Sequence, residues 1–207
     1  AQSVGYQPEI ILAGRHLNDQ MGKYIASKLI NALKKKRIQT KDSRILVMGL
    51  AFKENCPDIR NTKVIDLINE LKKYGAVVDS YDPWVESAIA KLEYGITTIS
   101  TLRTETYDAI ILAVAHKQII EMGVKQIRSF GKAQHLLYDL KYIFPAEFFE
   151  KEADIFFRAG GSNRCRNVFF LQEAEKILDA GHGADPAAGA APVALLLFKA
   201  ESGQCIA

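Results

Sequence analysis

The sequence predicts an α/β fold, with a mostly parallel sheet and helices packed on it. Three observations carry this reading. Strand-like runs, each built on consecutive apolar residues, recur at 44–50, 76–82 and 108–114. Between them lie stretches whose apolar residues return every three or four positions, the mark of a helix with one buried face. Gly75, Pro83 and Gly95 stand at the joins, where helices close and strands stop. Strands that alternate with single helices need crossover connections, and those give parallel neighbours.

Taken in order, residues 1–14 read as a lead-in broken by Gly5, Pro8 and Gly14. The start without Met suggests a fragment or an incomplete reading frame. Residues 15–37 read as one helix, because Leu17, Met21, Tyr24, Ile25, Leu29 and Leu33 keep a spacing of three and four. Lys34, Lys35, Lys36 and Arg37 then place cations at its carboxyl end, where the helix dipole favours them. A first strand at 44–50 leads through a polar loop to a helix over 62–74, which closes at Gly75. Asn61 or Thr62 could cap that helix through a side-chain oxygen. A second strand at 76–82 stops at Pro83, and a helix over 85–94 closes at Gly95. Residues 96–99 read as a short third strand. The run 108–114 is continuously apolar after Asp108, which suits a strand buried on both faces. A helix over 118–130 and a last strand at 134–140 complete the pattern. Past Pro145 the periodicity fails. Residues 179–192 are rich in Ala, Gly and Pro and read as linker or disorder.

Composition narrows the classes of function. The 207 residues are 48% hydrophobic and 25% charged, ordinary for a globular chain with a core. A formal net charge of +3 gives no argument for nucleic acid. Cys56, Cys165 and Cys205 are far apart and odd in number, so neither a disulfide framework nor a C-x-x-C metal pair is expected, and a reducing cytoplasm fits best. The histidines His16, His116, His135 and His182 lack metal spacing, and no metal is expected. No signal peptide is visible, and the longest apolar run, residues 190–198, is too short to span a bilayer.

The loop after the first strand is the centre of the functional reading. It runs from Leu50 through Phe52, Lys53, Cys56, Pro57, Asp58 and Arg60 to Lys63. In an open α/β sheet this is the edge where ligands bind. Lys53, Arg60 and Lys63 collect near a helix start that itself favours anions, so a phosphate is the simplest ligand. Gly49 stands alone, without the G-x-G-x-x-G that lets backbone approach a pyrophosphate, so ordinary NAD binding by this turn is not expected. Asp58 could orient Arg60 or form a surface turn. Cys56 beside Pro57 reads as a small buried residue rather than a nucleophile, since no His lies near it. Asp82, His116 and Lys141 end three strands at the same edge. Asp82 could simply fix the turn at Pro83, His116 reads as structural, and Lys141 is a weak candidate for a phosphate.

The string Gly49-x-Ala51-Phe52-Lys53, followed by Asp58-x-Arg60, resembles the carboxyl-terminal, Rossmann-like domain of nucleotide-sugar 6-dehydrogenases. With Tyr81-Asp82-Pro83-Trp84 it is most similar to the bacterial branch that acts on UDP-N-acetylhexosamines for surface polysaccharides. The resemblance covers residues 5–147. It implies that Lys53 and Phe52 contact the UDP-sugar, that Arg60 reaches an NAD held by an amino-terminal domain, and that Arg15 reaches the sugar nucleotide of a neighbouring subunit. It also implies three segments. Residues 1–40 would end a truncated central domain whose helix, 15–37, pairs two copies; 41–147 would bind the UDP-sugar; 148–207 would be an atypical tail. The apolar stripe of 15–37 looks longer than its own domain needs, and a charge at Leu29 is expected to weaken the homodimer. The family oxidises the C6 alcohol twice through a cysteine in a Gly-Gly-x-Cys-Phe-x-Lys-Asp motif. That motif is absent here, no catalytic residue is assigned, and the chain alone is expected to be inactive. The alternative is a non-catalytic binding or assembly module of the same fold, since fold does not decide function.

Overall fold

The structure, a computed structural model, describes residues 9–145. Expectations for the tail beyond 147 lie outside the described residues. The elements run α1 (Glu9–Lys35), β1 (Arg44–Met48), α2 (Val64–Lys73), β2 (Val77–Tyr81), α3 (Ser87–Tyr94), β3 (Tyr107–Leu112), α4 (Lys117–Ser129) and β4 (Gly131–Asp139). All sheet pairings are parallel, in the order β2-β1-β3-β4. β3 is buried at every position, Asp108 included, whose carboxylate accepts the Arg44 N–H at 2.9 Å and Lys132 Nζ at 2.8 Å. One side of the sheet carries Ile45, Val47, Ala109, Ile111 and Leu136 into a core shared with α1 and α2. The other carries Leu46, Met48, Ile110 and Leu112 against Ile119 and Ile127 of α4.

Several expectations need correction. α1 begins at Glu9, so 9–14 are helical rather than a broken lead-in. An exposed helical Gly14 costs only about 1 kcal/mol, too little to stop a run of helix formers. The helix ends before Arg37, whose φ of 58° turns the chain so that Ile38 N–H reaches back to Leu33 O at 2.9 Å. The strand expected at 96–99 is a single parallel bridge, Ser80 to Thr98. Thr98 is held instead by Ser87 Oγ, which accepts its N–H at 3.2 Å and takes the place of a longer ladder. Asn61 does not cap α2, because its φ of 61° belongs to the turn; Thr62 Oγ1 accepts the Val64 N–H at 3.3 Å. β4 starts at Gly131, three residues early, and its pairing with β3 has an irregularity between Tyr107 and Ala109. α4 is kinked at Gly123 (φ 69°).

The stripe on α1 is not surplus. Ala26, Leu29, Ile30, Ala32 and Leu33 are buried in the chain's own core. Leu29 is fully enclosed, so it cannot be the contact at which a charge merely loosens a dimer. Near the middle of α1, Gly22 lies so close to α2 that an added Cβ would sit 2.8 Å from Asp66 Cβ and 2.9 Å from Leu67 N. Lys63 Nζ closes the same junction with an ion pair to Asp19 at 2.7 Å.

Candidate functional site

From β1 the chain crosses to β2 on one side, and β3 lies on the other. The loops after β1 and β3 therefore leave adjacent strand ends in opposite directions at the carboxyl edge, the place where such sheets bind ligands. The two strand ends close tightly beneath it. Gly49 (φ 95°) approaches Val114 so nearly that a Cβ would stand 2.7 Å from Val114 N.

Asp82 organises this edge. Its Oδ2 accepts N–H groups from Leu50 at 2.6 Å and Ala51 at 2.9 Å. Its Oδ1 accepts Trp84 N–H at 2.8 Å and Val85 N–H at 3.1 Å. His116 Nε2 lies 3.1 Å from Oδ2, and both side chains are fully buried. Burial by itself would raise this carboxyl, but the His116 bond and the amides of Leu50, Trp84 and Ala51 more than reverse that and hold it at about 2. Asp82 does fix the turn at Pro83, and it also gathers the end of β1 and the residue before α4. Because Trp84 and Val85 are engaged this way, α3 starts only at Ser87.

The loop from Leu50 to Lys63 closes on itself through Phe52 N–H to Asp58 O at 2.8 Å. Asp58 settles between its two readings by doing both. Its carboxylate takes Arg60 Nε at 3.0 Å and a terminal guanidinium nitrogen at 2.8 Å. The Arg60 side chain and amide hold that half-buried carboxyl at about 2. Lys63 is engaged by Asp19 and, at 3.4 Å, by Asp66. The three cations expected to be free for an anion are thus reduced to Lys53, which has no carboxylate partner among the described residues; its ammonium stands 5.6 Å from the Phe52 ring centre. Phe52 is half exposed. Cys56 is partly exposed, not buried as expected. The loop's other flank leans on α3, where Tyr94 OH donates to Ile59 O at 3.0 Å. Tyr94→Phe is expected to cost about 1 kcal/mol, read by urea denaturation.

Arg15 lies on the exposed second turn of α1, and no contact of the described residues joins it to Lys53. Its charge acts on Asp19, one turn along, which in turn holds Lys63. Lys141 is exposed, and its N–H donates to Asp139. One contributor escaped the sequence reading. Asn55 (φ 55°) gives its N–H to His116 Nδ1 at 2.9 Å and accepts Lys117 N–H on Oδ1 at 2.9 Å. An Asn between Glu54 and Cys56 carries no sequence signal for such a role; only the order β2-β1-β3 brings it to His116.

Residues 46–146 match the UDP binding domain of the UDP-glucose/GDP-mannose dehydrogenase family. This domain belongs to that family. The chain is 54% identical over 147 residues, 71% of its length, to the UDP-N-acetyl-D-glucosamine 6-dehydrogenase of Salmonella typhi, of which it covers 35%. It is 57% identical over 143 residues, 69% of its length, to the enzyme of that name from Pseudomonas aeruginosa, of which it covers 34%. It therefore spans about a third of the length of these curated relatives. The solved NDP-N-acetyl-D-galactosaminuronic acid dehydrogenase of Methanosarcina mazei shares the fold, with a TM-score of 0.63 at 20% identity over 73% of this chain and 31% of that one.

Membership in the UDP-glucose/GDP-mannose dehydrogenase family implies NAD. The turn after β1 does not fit it. A pyrophosphate there would need the Leu50 and Ala51 amides, and Asp82 already occupies both. The open side of Gly49 is filled by Val114. Among the described residues no group of three His, Cys, Asp or Glu could hold a metal ion, and no helix is long and apolar enough to cross a membrane.

Proposed function

We propose that residues 41–147 hold the nucleotide of a UDP-sugar within an NAD-dependent 6-dehydrogenase, a cytoplasmic enzyme of surface polysaccharide synthesis. It would oxidise the C6 alcohol of a UDP-N-acetylhexosamine or UDP-glucose to the acid. The observation that carries the reading is Lys53. It is a cation without a carboxylate partner among the described residues, beside the half-exposed Phe52, on the loop at the switch in strand order. The relatives named as UDP-N-acetyl-D-glucosamine 6-dehydrogenases support the choice of sugar class. The domain's work is orientation: it fixes the nucleotide so that C6 meets a reaction centre elsewhere.

On this proposal Phe52 lines the nucleotide site, and Arg60 leaves Asp58 for an NAD held outside this domain. Arg15 serves the sugar nucleotide of a neighbouring subunit, with residues 1–40 as the end of a preceding domain. Pairing of two copies would use the first turns of α1, since the stripe past Met21 is taken by the chain's own core. A monomer at all concentrations in sedimentation velocity removes that part.

Lys53→Ala tests the centre of the proposal. One charge-assisted hydrogen bond contributes about 1.5–3 kcal/mol, so UDP affinity is expected to fall roughly ten- to a hundredfold. Arg60→Ala is expected to weaken UDP binding less. Titration calorimetry with UDP reads both. Unchanged affinity in Lys53→Ala overturns the assignment.

A further inference from the structure

His116 presents two different faces to the ligand edge. Its Nε2 meets Asp82 Oδ2, and its Nδ1 meets the Asn55 N–H. A backbone N–H can only donate, so Nδ1 must carry a lone pair, and the ring hydrogen sits on Nε2, donated to the carboxylate. The hydrogen-bonding partners thus select one neutral tautomer.

The two bonds have different consequences. The Asp82 bond lies in the closed interior. The Asn55 bond holds an exposed loop residue, two positions after Lys53, in the left-handed backbone region. The same Asn55 accepts the first amide of α4. On the other side, Phe52 N–H is fixed to Asp58 O. Lys53 and Glu54 are therefore a short span between two anchors, and at Asn55 the backbone is held by one imidazole nitrogen while the side chain is held by the Lys117 N–H.

We propose that His116 is a positioning residue for the nucleotide site: through Nδ1 and Asn55 it holds Lys53 where the diphosphate binds, and Asp82 fixes the ring that does so. This rests on the UDP-binding reading above. It assigns to a buried histidine, with no ligand contact of its own, a share of the affinity.

The two nitrogens can be separated by substitution. In His116→Asn the side-chain oxygen falls near the place of Nδ1, which keeps an acceptor for Asn55 and loses the donor to Asp82. In His116→Gln the amide reaches the place of Nε2, which keeps the donor and loses the acceptor. Both lose the ring, so both are expected to melt lower. UDP titration of the full chain is expected to show His116→Gln weaker than wild type by about fivefold or more, with His116→Asn restoring most of that loss. In the Lys53→Ala background, His116→Gln is expected to add nothing, since its effect runs through Lys53. Amide exchange at Asn55 is expected to quicken in the Gln variant only. Equal weakening by Asn and Gln, or an undiminished effect of His116→Gln without Lys53, overturns the positioning role. A wild-type chain that does not bind UDP overturns the nucleotide reading itself, and the positioning role with it.

Discussion

Asp82→Asn is expected to destabilise the domain by about 2–6 kcal/mol, because it leaves at least two of the buried donors around it without an acceptor, at about 1–3 kcal/mol each. Five donors converge on this carboxylate, four amides and one imidazole. An Asn side chain has one oxygen, so its NH2 must face donors on one side or the other. The pH dependence fixes the sign. The folded carboxyl, at about 2, lies below its ordinary value of 3.8. Its contribution is therefore fully present above 3.8 and is lost as pH falls through 2. Urea denaturation at pH 7 is expected to show the full gap, and the gap should shrink in strong acid. A difference below about 1 kcal/mol at neutral pH would show that the amides find other acceptors.

Leu29→Asp is expected to abolish cooperative folding. Leu29 has no solvent exposure and shares its core with Leu33, Val47, Ile68 and Ile111. An unpaired carboxylate there loses its hydration without gaining a partner, and such changes belong to the class above about 4–5 kcal/mol. A domain of this size is stable by about 5–15 kcal/mol, so little or nothing remains. Near-ultraviolet circular dichroism and a thermal melt read the result. Arg15→Glu, on the exposed turn of the same helix, is the control and should move stability by no more than about 0.5 kcal/mol. A Leu29→Asp chain that melts like wild type would restore the view that this face meets a second copy.

The strands were legible where a run of side chains must be apolar on both faces, as in Ile45 to Met48 and Ala109 to Leu112. Gly75 and Gly95 were legible because a helix that ends in a left-handed turn favours Gly there. Residues 96–99 misled because Thr97 and Thr98 have strand preferences, while pairing depends on a neighbour, and the outer edge of β2 offers only Ser80. At the site, Phe52 and Lys53 could be placed on the correct loop from the chain order alone. The state of the cations could not. Arg60 finds Asp58 two residues away, but Lys63 finds Asp19 across forty-four positions. The triad of Asn55, His116 and Asp82 joins three loops whose adjacency exists only once β1 lies between β2 and β3. Local pattern encodes which element a residue occupies; partners in charge are set by the packing order.

The seat of Gly22 on α2 has a mechanical meaning. A helix of 27 residues is about 40 Å long. The contact lies at its midpoint, where Gly22 meets the backbone and the Cβ of Asp66 and the backbone of Leu67, atoms that have no rotamer by which to yield. One half is cemented into the core, and its far end reaches β4 through Lys36 Nζ to His135 O at 3.1 Å. The other half carries exposed residues from Ala13 to His16. Such a helix cannot pivot on the sheet. It is a handle: whatever grips the first turns of α1 rotates the edge bearing Lys53 through the same angle, as a wrist turns a key.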